Sequence, residues 1–143
     1  MITKGPAIDA RVHEYCIVCG KANDQGLHVQ FTQLDDGGVQ GSFDCDKAYE
    51  GYPGKIHGGI ISALLDGVMT NCIFAHGYAG VTGELKVRYR HPVVVGRSAT
   101  VHGWIKRVSF PLYLTEAELV QDGQVKVTAT AKFMVQPQLV EKG

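Results

Sequence analysis

Gly58-Gly59-Ile60-Ile61-Ser62-Ala63-Leu64-Leu65-Asp66-Gly67-Val68-Met69 is apolar on nearly every side. A helix that is hydrophobic all round is a buried one. His57 precedes the run and His76-Gly77 closes it, with the glycine as a stop signal, so the pattern predicts one long helix over 57–76. Asp66 is the lone carboxylate inside it. Burying an unpaired carboxylate is costly, so Asp66 either has structural partners or faces a cleft where it does chemistry. At the other end, two glycines leave first-turn N–H groups uncovered, where the helix dipole favours negative charge. A backbone donor for a developing anion and a desolvated carboxylate together suit acyl transfer to water. A buried helix with a tight Gly-Gly entry and a structurally satisfied aspartate fits these residues equally well.

Around the helix the chain reads as strands. Leu27 to Leu34 alternates apolar and polar, Asp35-Asp36-Gly37-Gly38 is a hairpin turn, and Val39 to Phe43 begins the return strand. After the helix, strict alternation sets Val81, Gly83, Leu85, Val87 and Tyr89 on one face and Thr82, Glu84, Lys86, Arg88 and Arg90 on the other. Ala99 to Ile105 reads as the next strand, and Leu112–Val120 and Val125–Val135 flank the turn Asp122-Gly123. One long helix among antiparallel hairpins predicts an α+β protein, an antiparallel sheet wrapped around a central helix. Residues 1–143 read as a single domain, long enough to bury a core without staples.

Lys+Arg and Asp+Glu both number 14, which leaves no global field to attract nucleic acid or an anionic membrane. Met1-Ile2-Thr3-Lys4-Gly5-Pro6 has no apolar core of a signal peptide, and no apolar stretch approaches the roughly 20 residues of a membrane span. A cytoplasmic protein is expected. Cys16 and Cys19 form a CxxC before Gly20, with no second CxxC or close HxxxH to complete a zinc site. His13 and His28 flank the pair, so a site of two cysteines and two histidines stays open. A tight turn with two reduced thiols is the expected arrangement, and no metal or redox cofactor is implied.

Three segments then resemble a known family. Gly51-Tyr52-Pro53-Gly54-Lys55-Ile56-His57-Gly58-Gly59, Asp66, and Val81 through Pro92 resemble the hotdog-fold acyl-CoA thioesterases, the phenylacetate-degradation type above all. Cys16-Ile17-Val18-Cys19-Gly20 with Asn23 and Gly26-Leu27 resembles a lead-in of that family, and Ala131-Lys132-Phe133-Met134 its last strand. The resemblance runs from about residue 16 to 135. It implies that the Gly58 N–H polarises the thioester carbonyl, with Gly59 beside it at the substrate. It also implies that His57 orders the thioester end, that Asp66 is general base or nucleophile, and that Thr82 holds the water or Asp66. Some relatives carry an asparagine where this chain has Gly51.

The spacing adds a demand of its own. Gly58 and Asp66 are eight residues apart, about 12 Å along a helix. An oxyanion donor and a base must both sit within a few Å of one carbon. Two antiparallel copies of the helix meet that demand, and the resemblance implies a dimer with this arrangement, so a homodimer or dimer of dimers with shared sites is expected. Lys86, Arg88, Arg90 and His91, with Lys106 and Arg107 nearby, are candidates for coenzyme A phosphates, although an ordinary solvated sheet face with Glu84 and Glu116 explains each of them as well. Two other functions stay open: a dehydratase or hydratase of the same fold, which carries a histidine about where Gly51 stands, and a non-catalytic acyl-CoA-binding dimer.

Overall fold

The computed structural model describes residues 10–139. The expectation about Met1 to Pro6 concerns residues outside that range. The run from Gly58 to Ala75 forms the helix α1, and Gly77, at φ +87°, turns the chain out of it. The strands are β1 (Phe31–Gln33), β2 (Val39–Asp44), β3 (Gly80–Tyr89), β4 (Ser98–Ser109), β5 (Leu112–Gln121) and β6 (Gln124–Val135). They form one antiparallel sheet in the order β1-β2-β4-β5-β6-β3. Its concave face wraps α1, whose Leu64, Leu65, Val68, Met69, Cys72 and Ile73 are fully buried. Gly103 of β4 permits the close approach: a Cβ there would lie 3.2 Å from Val68 and 3.3 Å from Cys72 of the helix. The β5–β6 turn at Asp122-Gly123 has positive φ at both residues, which suits a tight hairpin.

Three expectations need correction. The strand expected over Leu27–Leu34 shrinks to Phe31–Gln33. His28 sits at φ +54°, and the N–H groups of Leu27 and Val29 donate to Ile17 and Val18 instead of to a strand. These residues follow the amino-terminal turn, not the sheet.

The alternation across β3 also breaks. A bulge between Thr82 and Glu84 shifts the register, so Thr82 lies opposite the buried Phe133 while Glu84 lies opposite the exposed Lys132. Thr82 therefore shares the helix-facing side with Leu85, Val87 and Tyr89, the reverse of its predicted face. Lastly, α1 at 18 residues is long and apolar enough, by length and composition, to cross a membrane. Eight of its 18 residues are buried against the rest of the chain.

Candidate active site

His57 adopts an extended backbone (φ −61°, ψ 135°) and caps α1 with its side chain, Nδ1 accepting from the Gly59 N–H at 2.8 Å. A neutral imidazole that accepts at Nδ1 carries its proton on Nε2, which leaves that N–H to donate elsewhere. The loop before it is tied down: the His57 N–H donates to Tyr49 and the Ile56 N–H to Val93. Gly59 is thus occupied in the cap and is no free donor, and a Cβ there would press on the His57 ring at 3.1 Å. Among the described residues, no acceptor meets the Gly58 N–H. It stands at the positive end of the helix.

Eight residues along the same helix, half-buried Asp66 accepts a 2.6 Å hydrogen bond at Oδ1 from the Thr82 hydroxyl. The bulge that turns Thr82 inward makes this contact possible. Thr70 donates to the Asp66 carbonyl at 2.8 Å, and Ser62 bonds Tyr89. Ser62, Asp66 and Thr70, spaced four residues apart along one side of α1, therefore meet partners within this chain, largely on β3. Sequence reasoning missed Tyr89 as a site residue. Its hydroxyl donates to the Gly58 carbonyl at 2.8 Å, fastening the first turn of the helix to β3. The available signal was its place on the apolar face with Leu85 and Val87.

A cleft of about 770 Å³ opens at the helix entrance, lined among others by His57, Gly58, Ile61, Tyr89, Arg90 and His91. Asp66 does not line it. Of the predicted cations, Arg90 and His91 reach this cleft. Lys86 and Arg88 alternate onto the opposite face of β3, where Lys86 lies 3.7 Å from Glu84. Lys106 pairs with Glu116 at 3.7 Å. Gly51 leaves little space for a side chain, since a Cβ there would lie 3.1 Å from the His57 Cα. Burial pushes the thiols of Cys19, Cys45 and Cys72 up to about 11, 11 and 12, so none is a ready nucleophile at neutral pH.

Comparison with known proteins gives the family. The thioesterase superfamily model matches residues 53–128, more than half of the chain. This chain belongs to the thioesterase superfamily. It is a thioester hydrolase, and its six-stranded sheet around one long helix is the hotdog fold. Among solved structures it is similar to a thioesterase superfamily protein at 29% identity and a TM-score of 0.78, over 91% of this chain and 70% of that one. A phenylacetic acid degradation-related thioesterase of Ralstonia eutropha is 25% identical with a TM-score of 0.70, over 76% of this chain and 86% of that one. A hypothetical thioesterase of Streptococcus pneumoniae, solved with coenzyme A, shares the fold at 20% identity and a TM-score of 0.71, over 76% and 86%. That pneumococcal protein has also been solved with alanine in place of an aspartate, and of a threonine 16 residues later. No curated protein sequence matches.

Proposed function

We propose that this thioesterase hydrolyses acyl-CoA thioesters at a site shared by two copies of the chain. The observation that carries the reading is the pair of groups on α1: a Gly58 N–H without an acceptor among the described residues, and Asp66 held by Thr82 about two helical turns away. One helix cannot bring both to a single carbonyl. Two antiparallel helices bring Gly58 of one beside Asp66 of the other. The outer edge of β3 supports such pairing, because it is a ten-residue edge strand with half-buried Leu85 and Val87. Asp66 and Thr82 are 16 residues apart, the spacing of the aspartate and threonine replaced in the pneumococcal relative.

In the proposed reaction, Asp66 removes a proton from water as the oxygen attacks the thioester carbon, or attacks the carbon itself to give a mixed anhydride that water then hydrolyses, releasing the acid and restoring the carboxylate. Charge gathers on the carbonyl oxygen and is met by the Gly58 N–H, a kind of donor whose loss costs roughly 3–4 kcal/mol of barrier. Collapse breaks the carbon–sulfur bond, and the coenzyme leaves as a thiolate that takes up a proton. Thr82 keeps the Asp66 carboxylate turned toward the water. The Nε2–H of His57 donates toward the thioester end, while Arg90 and His91 offer positive charge to the phosphates. Gly51 stands about where a hydratase carries its histidine, and a side chain there would crowd His57, which argues against a hydratase.

Release of free thiol from a panel of aryl and aliphatic acyl-CoAs tests the proposal. Turnover of at least one class is expected. Asp66→Asn, which keeps the shape, lowers kcat by roughly two orders of magnitude or more with the fold intact. No thiol release across the panel, or near-wild-type turnover by a folded Asp66→Asn, overturns it.

A further inference from the structure

One side-chain cluster takes no part in the thioester chemistry. His13, Cys16 and Cys19 follow one another at intervals of three residues, and Nδ1 of the imidazole and both Sγ atoms lie within 4.8 Å of each other. His13 Nδ1 is 3.1 Å from Cys19 Sγ. A tetrahedral zinc-class ion, with bonds of about 2.3 Å to sulfur and about 2.0 Å to nitrogen, holds its ligand atoms roughly 3.5–3.8 Å apart. His13 and Cys19 stand slightly inside that spacing, and all three donors fall within about an ångström beyond it. Their chemistry, two soft sulfurs and an imidazole, selects the same class of ion.

Two N–H groups are aimed at the sulfurs. The Val18 N–H points at Cys16 Sγ from 3.4 Å, and the Asn71 amide at Cys19 Sγ from 3.8 Å. Donors of this kind orient and tune metal-bound thiolates. The turn is one only glycine can complete, since a Cβ at Gly20 would lie 2.3 Å from the Cys16 nitrogen and 2.7 Å from its carbonyl oxygen. The His13 ring is set by an edge contact with Phe74 of α1, with ring centroids 4.3 Å apart. His28 belongs elsewhere, its Nε2 lying against the Asn23 carbonyl.

We propose that His13, Cys16 and Cys19 form a site for a thiophilic divalent cation of the zinc class, with three protein ligands and one position for water or an exogenous ligand. Binding converts both thiols to thiolates and releases two protons to solvent. The site staples the amino-terminal turn to the helix. Val18 packs on Gly67, where an added Cβ would meet it at 2.7 Å, and Asn71 joins Cys19 to the Gly67 carbonyl. Gly67 follows Asp66 directly, so the ion braces the helix beside that carboxylate. The proposal stands independently of any role for Asp66.

Titration of the reduced, metal-free full chain with cobalt(II) and then zinc(II), without oxygen, tests it. One equivalent of cobalt produces a strong sulfur-to-cobalt charge-transfer band, two protons appear in a weakly buffered dye assay, and zinc displaces the cobalt and raises Tm. Cys16→Ser or Cys19→Ser alone weakens the band to about half or less, the double variant abolishes it, and His28→Ala keeps it in full. Asn71→Leu leaves all ligands in place and lowers zinc affinity by about 10–100-fold, which keeps the proposal open to refutation if the cysteine variants misfold. No sulfur-to-cobalt band in the reduced wild-type chain overturns the proposal. So does a band undiminished in a folded Cys16→Ser variant or surviving in the folded double variant, or closure of the pair to a disulfide with no cobalt taken up.

Discussion

β5 and β3 are each ten residues long, and both hydrogen-bond to β6, yet they occupy opposite circumstances. β5 lies inside the sheet, and every second residue from Tyr113 to Gln121 is buried under the helix. Even its polar side chains are satisfied there: Gln121 both donates to and accepts from the Val94 backbone, and Thr115 donates to Ala131. β3 is an edge, with Leu85 and Val87 half-buried and Tyr89 51% exposed. The difference shows a division of labour. β5 supplies burial, while β3 gives up burial to carry the side chains that touch α1 at its first turn and its middle, Tyr89 at Gly58 and Thr82 at Asp66.

The contrast is sharpest in stability. Leu119→Ala in β5 removes a fully buried side chain and is expected to cost about 2–5 kcal/mol, read from the urea midpoint. A loss below 1 kcal/mol would show that the interior strand is no better packed than the edge.

The edge is expected to matter most when two chains meet. An inactive Asp66→Asn chain mixed with an inactive Gly58→Pro chain regains activity, approaching about half per heterodimer if the sites act independently. Proline suits this position, since Gly58 is the first helical residue and His57 before it is already extended. Heterodimers that form and restore nothing would place a complete site within each chain.

Within β3 the effects become smaller. Thr82→Val keeps the bulge but removes the hydroxyl on Asp66, so kcat falls about tenfold with little change in KM, the worth of one hydrogen bond to a charged group. An unchanged kcat reduces Thr82 to a strand residue. Val87→Ala is the mildest change, expected to cost under about 1 kcal/mol at dilutions where chains are single. A greater loss on raising the protein concentration would report a partner covering that side chain.

Much of this molecule is legible in its amino-acid sequence. The 57–76 run is predicted as a buried helix because it is apolar on nearly every side, and the structure starts the helix at Gly58 with His57 as its cap. The Asp122-Gly123 turn is equally plain, since that dipeptide favours the positive φ that both residues adopt. The first half of the expected β1 is missing for a reason local alternation cannot show: hydrogen bonds from Leu27 and Val29 to a turn ten or so residues earlier drew that stretch away from the sheet.

The periodic patterns are local properties, and they settle the identity of the helix, the hairpins and the apolar faces. The Asp66–Thr82 contact belongs to another class. It exists because β3 slips one residue against β6, and that slip depends on the partner strand. Gly83 gives no clear sign of it, since a Cβ there would meet only the Lys132 carbonyl, at an ordinary 3.5 Å. The cluster of His13 with Cys16 and Cys19 is similar, for the CxxC is visible in the chain but the choice of His13 over His28 is made where the turn packs against Phe74, Gly67 and Asn71 of the helix. Periodicity reports which face of a segment avoids water, whereas the meeting of two side chains depends on register and packing between segments far apart in sequence.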